Sequence, residues 1–273
     1  MNRPGKICLK TLRTVLIFVT LTLLTQVGGI IWLCIRKIGR RFSEKRKIQI
    51  AINAGIYLMI ILTVVPILAR IGGRVALPII ATKKTPVEPR SFLFVIFNRH
   101  YVKPDARDTL IDAARDLSAT YPGSVVHYLD GGFPFFDKFP MLPHLSHSRG
   151  EAVDVAFMYH AENDRNKYLP CPSMIGYWLY EGPKRGEYQP YRSRPSKLRW
   201  DFEWLQFFKG SRRLDRERTR YFIRHLLEDS RTSRMLLEAH LHRRWGIVHH
   251  KLRFQQLNAA RHDDHLHLWV KQR

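Results

Sequence analysis

The sequence predicts an α+β protein, with two N-terminal transmembrane helices followed by a single mixed α/β domain on a mainly antiparallel central sheet. Three observations carry the prediction. Two uncharged apolar runs occupy the first quarter of the 273 residues. Beyond residue 90, strand-like runs alternate with amphipathic helical patterns. The chain is 45% hydrophobic and 12% aromatic, which excludes disorder as the main theme and leaves about 199 residues (75–273) to build a core.

Residues 14–35 and 48–69 are each 22 residues without a charge. Each is long enough to cross a hydrocarbon core of about 30 Å at about 1.5 Å per residue. Between them, 36–47 (RKIGRRFSEKRK) carries seven basic residues in twelve and reads as a cytoplasmic loop, with both termini on the far side. Four basic residues before the first run and five after the second oppose this, so charge gives topology only a direction. Residues 75–90, with Pro78, Pro86 and Pro89, read as an extended linker, and the domain is placed at 91–273.

Within the domain, 92–97 (FLFVIF) is an apolar run of strand length. Residues 105–118 place Leu110, Ala113, Ala114 and Leu117 at helical spacing. Tyr121-Pro122-Gly123 is a turn, 124–129 a second strand, and 152–159 an alternating third strand. Residues 161–197, rich in Pro, Gly, Tyr and Arg, read as a long loop walling a cleft. Residues 200–208 predict a short helix with Trp200, Trp204, Phe207 and Phe208 in the core. Residues 215–227 predict a clearer helix, 234–240 a strand, 252–257 stay ambiguous, and 265–270 (HLHLWV) form a last strand.

The formal charge is +23, of which +12 belongs to residues 1–74 (13 basic, one acidic) and +11 to the remainder (33 basic, 22 acidic). Half of the excess is juxtamembrane and needs no ligand. The rest suits an anionic partner, and cell-wall polymer fits better than nucleic acid, since basic and acidic residues alternate and no nucleic-acid-binding motif occurs. Cys8, Cys34 and Cys171 form neither a CxxC zinc site nor a disulfide framework.

Histidines concentrate at two places: 143–154 (PHLSHSRGEAVD) and 261–267 (RHDDHLH). On one helix His147 and Asp154 would stand about 10.5 Å apart along the axis, too far for one metal, so the chain must turn between them, at Gly150. On a strand, His265 and His267 share a face, about 6.6 Å apart, while Leu266 and Leu268 face the core. One of the two suffices to bind metal, leaving the other free to handle a proton. Two His and one Asp, with a fourth position open to water, make the pattern of a catalytic rather than structural zinc.

These residues resemble the LAS zinc peptidases, the group of lysostaphin, D-alanyl-D-alanine carboxypeptidase and the Sonic hedgehog fold. The pattern is most similar to the penicillin-insensitive murein endopeptidases, because His144 and His262 also stand three before His147 and His265. The resemblance is specific over about 19 motif residues. It implies Zn²⁺ on His147, Asp154 and His267, and hydrolysis of peptide cross-links in peptidoglycan. It further implies His265 as the proton carrier, with His144 and His262 supporting it or the oxyanion. There are departures: those endopeptidases are soluble and periplasmic, and the E-x-x-H element of the carboxypeptidases is missing, since Glu238 in Leu237-Glu238-Ala239-His240 does not form it.

The expected protein is thus a zinc peptidase of the bacterial inner membrane, anchored in the bilayer by two helices, with its catalytic domain periplasmic and peptidoglycan peptide as substrate. A D,D-carboxypeptidase is the runner-up activity. The alternatives are a non-catalytic zinc-binding recognition module for cell-wall or other anionic ligands, and a basic domain binding nucleic acid or lipid head groups. His240, His242, His249 and His250 read as a solvated face. Asp130 and the aromatic loop 133–139 either shape the cleft or simply pack.

Overall fold

The computed structural model describes residues 4–142, 144–187, 203–254 and 261–272. Its N-terminal part holds four helices: α1 (Pro4–Thr25), α2 (Gly28–Ile35), α3 (Gly39–Phe42) and α4 (Arg46–Ile71). Among the described residues, α4 is the one helix long and apolar enough to cross a membrane. The first apolar run is therefore not the single spanning helix that its hydropathy predicts. It breaks at Gln26, whose φ is 66°, and α2 folds back along α1.

Local chemistry explains the break. A β-carbon on Gly29 would lie within 3 Å of the Thr22 hydroxyl and the Phe18 carbonyl, so the Gly28-Gly29 pair permits the close return. The Gly28 N–H donates to the Thr25 hydroxyl at 2.7 Å. The Gln26 side chain leaves the hairpin altogether, accepting from the Phe135 N–H at 2.8 Å. A hydropathy window registers apolar content but not this polar, left-handed corner.

The region expected to be a linker belongs to the domain. Strand β1 (Val75–Ala76) pairs antiparallel with β3 (Tyr101–Val102), and β2 (Val87–Pro89) pairs parallel with β4 (Val126–Tyr128). Leu77 and Val87 are buried in the main core. The prolines shorten these strands without excluding them, as tolerated at a sheet edge.

The run 92–97 is a second correction, since it forms the short helix α5 (Leu93–Ile96) rather than a strand. Short apolar runs do not distinguish the two by period, and Asn98 at φ 54° closes the turn. The next helix, α6 (Pro104–Thr120), follows the expected pattern, with proline in its first turn and Leu110, Ala113, Ala114 and Leu117 buried.

The central sheet has the order β10-β9-β11-β5-β4-β2, with β5 (Ala152–Ala156), β9 (Thr232–Leu236), β10 (Leu252–Arg253) and β11 (His265–Val270). Its three inner pairings are antiparallel and its two outer ones parallel. The expected third strand ends early, and Tyr159 opens β6 (Tyr159–Ala161) in a small sheet with β7 (Asp164–Leu169) and β8 (Arg212–Leu214). Helix α7 (Arg216–Glu228) is capped by Asp215, whose carboxylate accepts the Arg218 N–H at 3.0 Å. The expected strand 234–240 divides into the end of β9 and the start of α8 (Ala239–Trp245).

Candidate metal centre

Strand register assembles the site. On β11, His267 stands opposite Asp154 of β5, so the antiparallel pairing brings a carboxylate and an imidazole 113 residues apart in sequence face to face. Asp154 Oδ1 lies 2.5 Å from His267 Nδ1. The continuation of β4 also holds β5, through Asp154 N–H to the Asp130 carbonyl at 2.8 Å, which sets Asp130 beside Asp154.

His147 arrives from a 3-10 turn, Leu145–Arg149, that ends at Gly150 with φ 69°. A side chain there would be strained by the backbone and would meet the Arg74 guanidinium at 2.9 Å. The turn expected at Gly150 is therefore present, and it lays His147 Nε2 3.2 Å from Asp154 Oδ2. Two ligands of a tetrahedral metal at about 2.0–2.1 Å are separated by about 3.3–3.4 Å, so this spacing suits a shared ion.

Asp154 is the hub. Its Oδ2 also lies 3.2 Å from His144 Nδ1 and 3.8 Å from His265 Nε2. His262 closes the group, its ring 5.0 Å from that of His265 and 5.6 Å from that of His267. All six residues expected at the site thus meet in one place. Their donor atoms form two triads able to hold a metal: His144, His147 and Asp154, and His262, His265 and His267. The expected ligands His147, Asp154 and His267 straddle the two.

The cluster fits a divalent cation on its own chemistry. Both ring nitrogens of His147, Nδ1 of His262 and Nε2 of His267 are buried without a hydrogen-bond partner. Orphaned buried imidazole nitrogens beside a carboxylate are costly unless something binds them.

Electrostatics divides the histidines. At His144, burial opposes the charged ring, yet hydrogen bonds and charges from Asp130 and Asp154 outweigh it and push the pKa up to about 10. At His265 burial is likewise overcome, by Asp264, whose Oδ1 lies 2.5 Å from Nδ1, and by Asp154. At His267 burial prevails over Asp154 and brings the pKa to about 4. Burial and the two neighbouring histidines hold His262 well below its ordinary value. Burial would raise Asp154, but the charges of His147, His267 and His265 keep it well below the carboxylate range.

Further participants join the six, and Tyr177 and Arg99 among them have no motif to announce them. The Tyr177 hydroxyl donates to Asp154 Oδ2 at 2.7 Å and stands 3.1 Å from Asp130 Oδ2. Burial and those two carboxylates lift its pKa, so it stays a proton donor. Arg99 grips Asp130 through two hydrogen bonds of 2.5 and 2.8 Å. Asp264 is oriented by the Trp178 N–H at 2.5 Å. Tyr177 and Trp178 lie in the stretch 161–197, which is not the unbroken loop expected, since 164–169 forms strand β7; Ile175, Tyr177, Trp178 and Tyr180 wall the cleft, and residues 188–197 lie outside the described residues. Asp130 takes the cleft-shaping role.

Two readings are corrected. Trp204, Phe207 and Phe208 are exposed on a 3-10 turn, Glu203–Lys209, rather than in the core, while Trp200 lies outside the described residues. His240 is buried, its Nε2 2.9 Å from the Glu181 carbonyl, rather than on a solvated face.

No protein-family profile and no curated protein matches the chain.

Proposed function

We propose that the protein is a membrane-anchored zinc peptidase acting on the peptide cross-links or stem peptides of peptidoglycan. The observation that carries this reading is the cluster of five histidines and Asp154, buried except for the partly exposed His144, with four unpartnered imidazole nitrogens, beside a cavity of about 660 Å³ lined in part by His144 and His265. His147, Asp154 and His267 would hold the ion, following the motif resemblance described above. A zinc ion there supplies Lewis acidity and a water that ionises near pH 7.

The chain's own residues divide the remaining work. Hydrolysis adds the water oxygen to the scissile carbonyl carbon, breaks the C–N bond and delivers a proton to the leaving amine. His265 faces the cavity, braced by Asp264, and holds and returns that proton. His144, charged against Asp130, and the Tyr177 hydroxyl place positive and donor character beside Asp154, where oxyanion charge develops. Peptidoglycan as substrate requires the histidine cluster to open on the periplasmic side of a bacterial inner membrane, with 36–47 in the cytoplasm.

The test uses the full chain purified in detergent. One zinc per chain by elemental analysis, and new amines released from peptidoglycan that cease on chelation and return with Zn²⁺, are the expected results. A metal-free protein that releases no amine overturns the reading.

A further inference from the structure

We propose that the cleft beside the histidines opens sideways into the lipid bilayer and takes an amphiphile, a peptide head carried on an apolar lipid chain. This rests on the peptidase reading for the head group and on separate observations for the chain.

The first observation is depth. The Tyr57 hydroxyl of α4 donates to the Ile96 carbonyl at 2.7 Å, and Asn98 Nδ2 lies 3.4 Å from both the Tyr57 hydroxyl oxygen and the Thr25 carbonyl. These bonds fix α5 against the middle of α4, since Ile71, where the helix ends, lies fourteen residues further along, about 21 Å. A helix of 26 residues is about 39 Å long. Centring a hydrocarbon core of about 30 Å on it leaves Tyr57 about 16 Å beneath the boundary on the Ile71 side and about 12 Å beneath the one on the Arg46 side. The segment 91–98 therefore stands at the depth of acyl chains, not above the headgroups.

The second observation is surface chemistry. Residues 91–98 (SFLFVIFN) carry no charge, and Phe92 and Leu93 are 47% and 43% exposed. Phe136, Leu142 and Leu145 add exposed apolar side chains from the loops that lead to His147. Across the cleft, Gln206 donates to the Trp178 carbonyl at 2.6 Å, which sets the exposed Trp204, Phe207 and Phe208 beside the opposite wall. Exposed apolar groups of this number need a cover, and a helix-anchored domain at this depth has lipid beside it.

The third is continuity. The cavity joins Leu93, Phe97, Leu142 and Ile175 to His144 and His265 in one space. An apolar chain entering past α5 would lie along the first group and deliver a polar head to the second. A substrate that is wholly water-soluble has no use for the apolar part.

Two measurements on the full chain, in vesicles of phosphatidylethanolamine and phosphatidylglycerol, test this. In a chain with Cys8→Ser and Cys34→Ser, an environment-sensitive fluorophore on Leu93→Cys should be quenched by mid-chain doxyl phospholipid and spared by aqueous iodide, whereas one on Asn163→Cys should respond to iodide alone. Hydrolysis of a synthetic peptidoglycan stem peptide is then compared with that of the same peptide bearing a palmitoyl chain. The lipidated peptide should show kcat/KM higher by at least about tenfold, the effect of burying about two methylenes. Leu93→Asp should bring that ratio towards one. Iodide quenching at Leu93→Cys with equal rates on both peptides overturns the proposal. If neither peptide is hydrolysed, the peptidase reading falls, and the quenching alone decides whether the cleft opens into lipid.

Discussion

The cluster joins histidines of opposite character, and the second motif alone supplies both kinds, since His265 is pushed up while His262 and His267 are pushed down. From the first motif, His144 touches two carboxylates, Asp130 at 2.9 Å and Asp154 at 3.2 Å, and is driven to hold a proton. From the second, His262 and His267 are driven to lose theirs. His262 and His267 are buried and the His144 side chain is 17% exposed, a difference too small for burial alone to separate them. The difference lies in how much carboxylate each ring faces against how many other rings. A neutral ring with a free nitrogen is ready to bind a cation, whereas a charged ring is ready to stabilise an anion.

The largest effect should come from the hub. Asp154→Ala removes the carboxylate that four histidines face, and should abolish both metal content and hydrolysis. His262→Ala should retain the ion. Elemental analysis of the two variants decides between the two possible ligand groups: an empty His262→Ala with a loaded Asp154→Ala moves the ion to His262, His265 and His267.

Within β11 the contrast sharpens. His267→Ala should lose metal and activity together. His265→Ala should keep its metal yet lose turnover by roughly 10²–10⁴-fold, the scale of a missing general acid or base. Metal stoichiometry and hydrolysis on the same preparations check this pair, and loss of metal from His265→Ala would reverse the assignment.

Asp264→Asn asks whether the carboxylate makes His265 a proton holder. Without that negative charge the His265 pKa falls, so the protonated ring is depleted at lower pH. The alkaline limb of the kcat profile should then shift to lower pH, with kcat at neutral pH reduced about tenfold or more. An unmoved limb would separate Asp264 from the proton transfer.

The smallest effect tests burial by itself. His100 is buried with no carboxylate in contact, and its pKa is brought down to about 4 by burial. Its folded pKa lies below that of the unfolded chain, so stability is intact above about pH 6.5 and drains away as pH falls towards 4, while the unfolded state takes the proton first. Denaturant midpoints at neutral and mildly acidic pH should show this loss, and His100→Gln should reduce it. An unchanged acid dependence would locate the sensitivity in other buried groups.

Much of the site was legible because its geometry is local. The period of two on 265–270 places His265 and His267 together and sends Leu266 and Leu268 to the core, as found. The glycine between His147 and Asp154 announces the turn. Tyr177 and Arg99 were not legible as site residues, because each acts through a partner distant in sequence and an aperiodic loop carries no signal for where its side chains land; Asp264 stands within the second motif, but its orientation depends on the distant Trp178 N–H.

The sequence by itself determined which residue types could do chemistry, that they come in two groups, and that the chain holds a long apolar helix. These follow from composition, charge and the fixed periods of helix and strand. Only the tertiary structure decided that residues 14–35 bend at Gln26, that 92–97 holds a short, half-buried helix against α4, and that Asp154 rather than any histidine is the centre of the cluster. Each of those depends on contacts between segments tens of residues apart, where packing and hydrogen bonding override local preference.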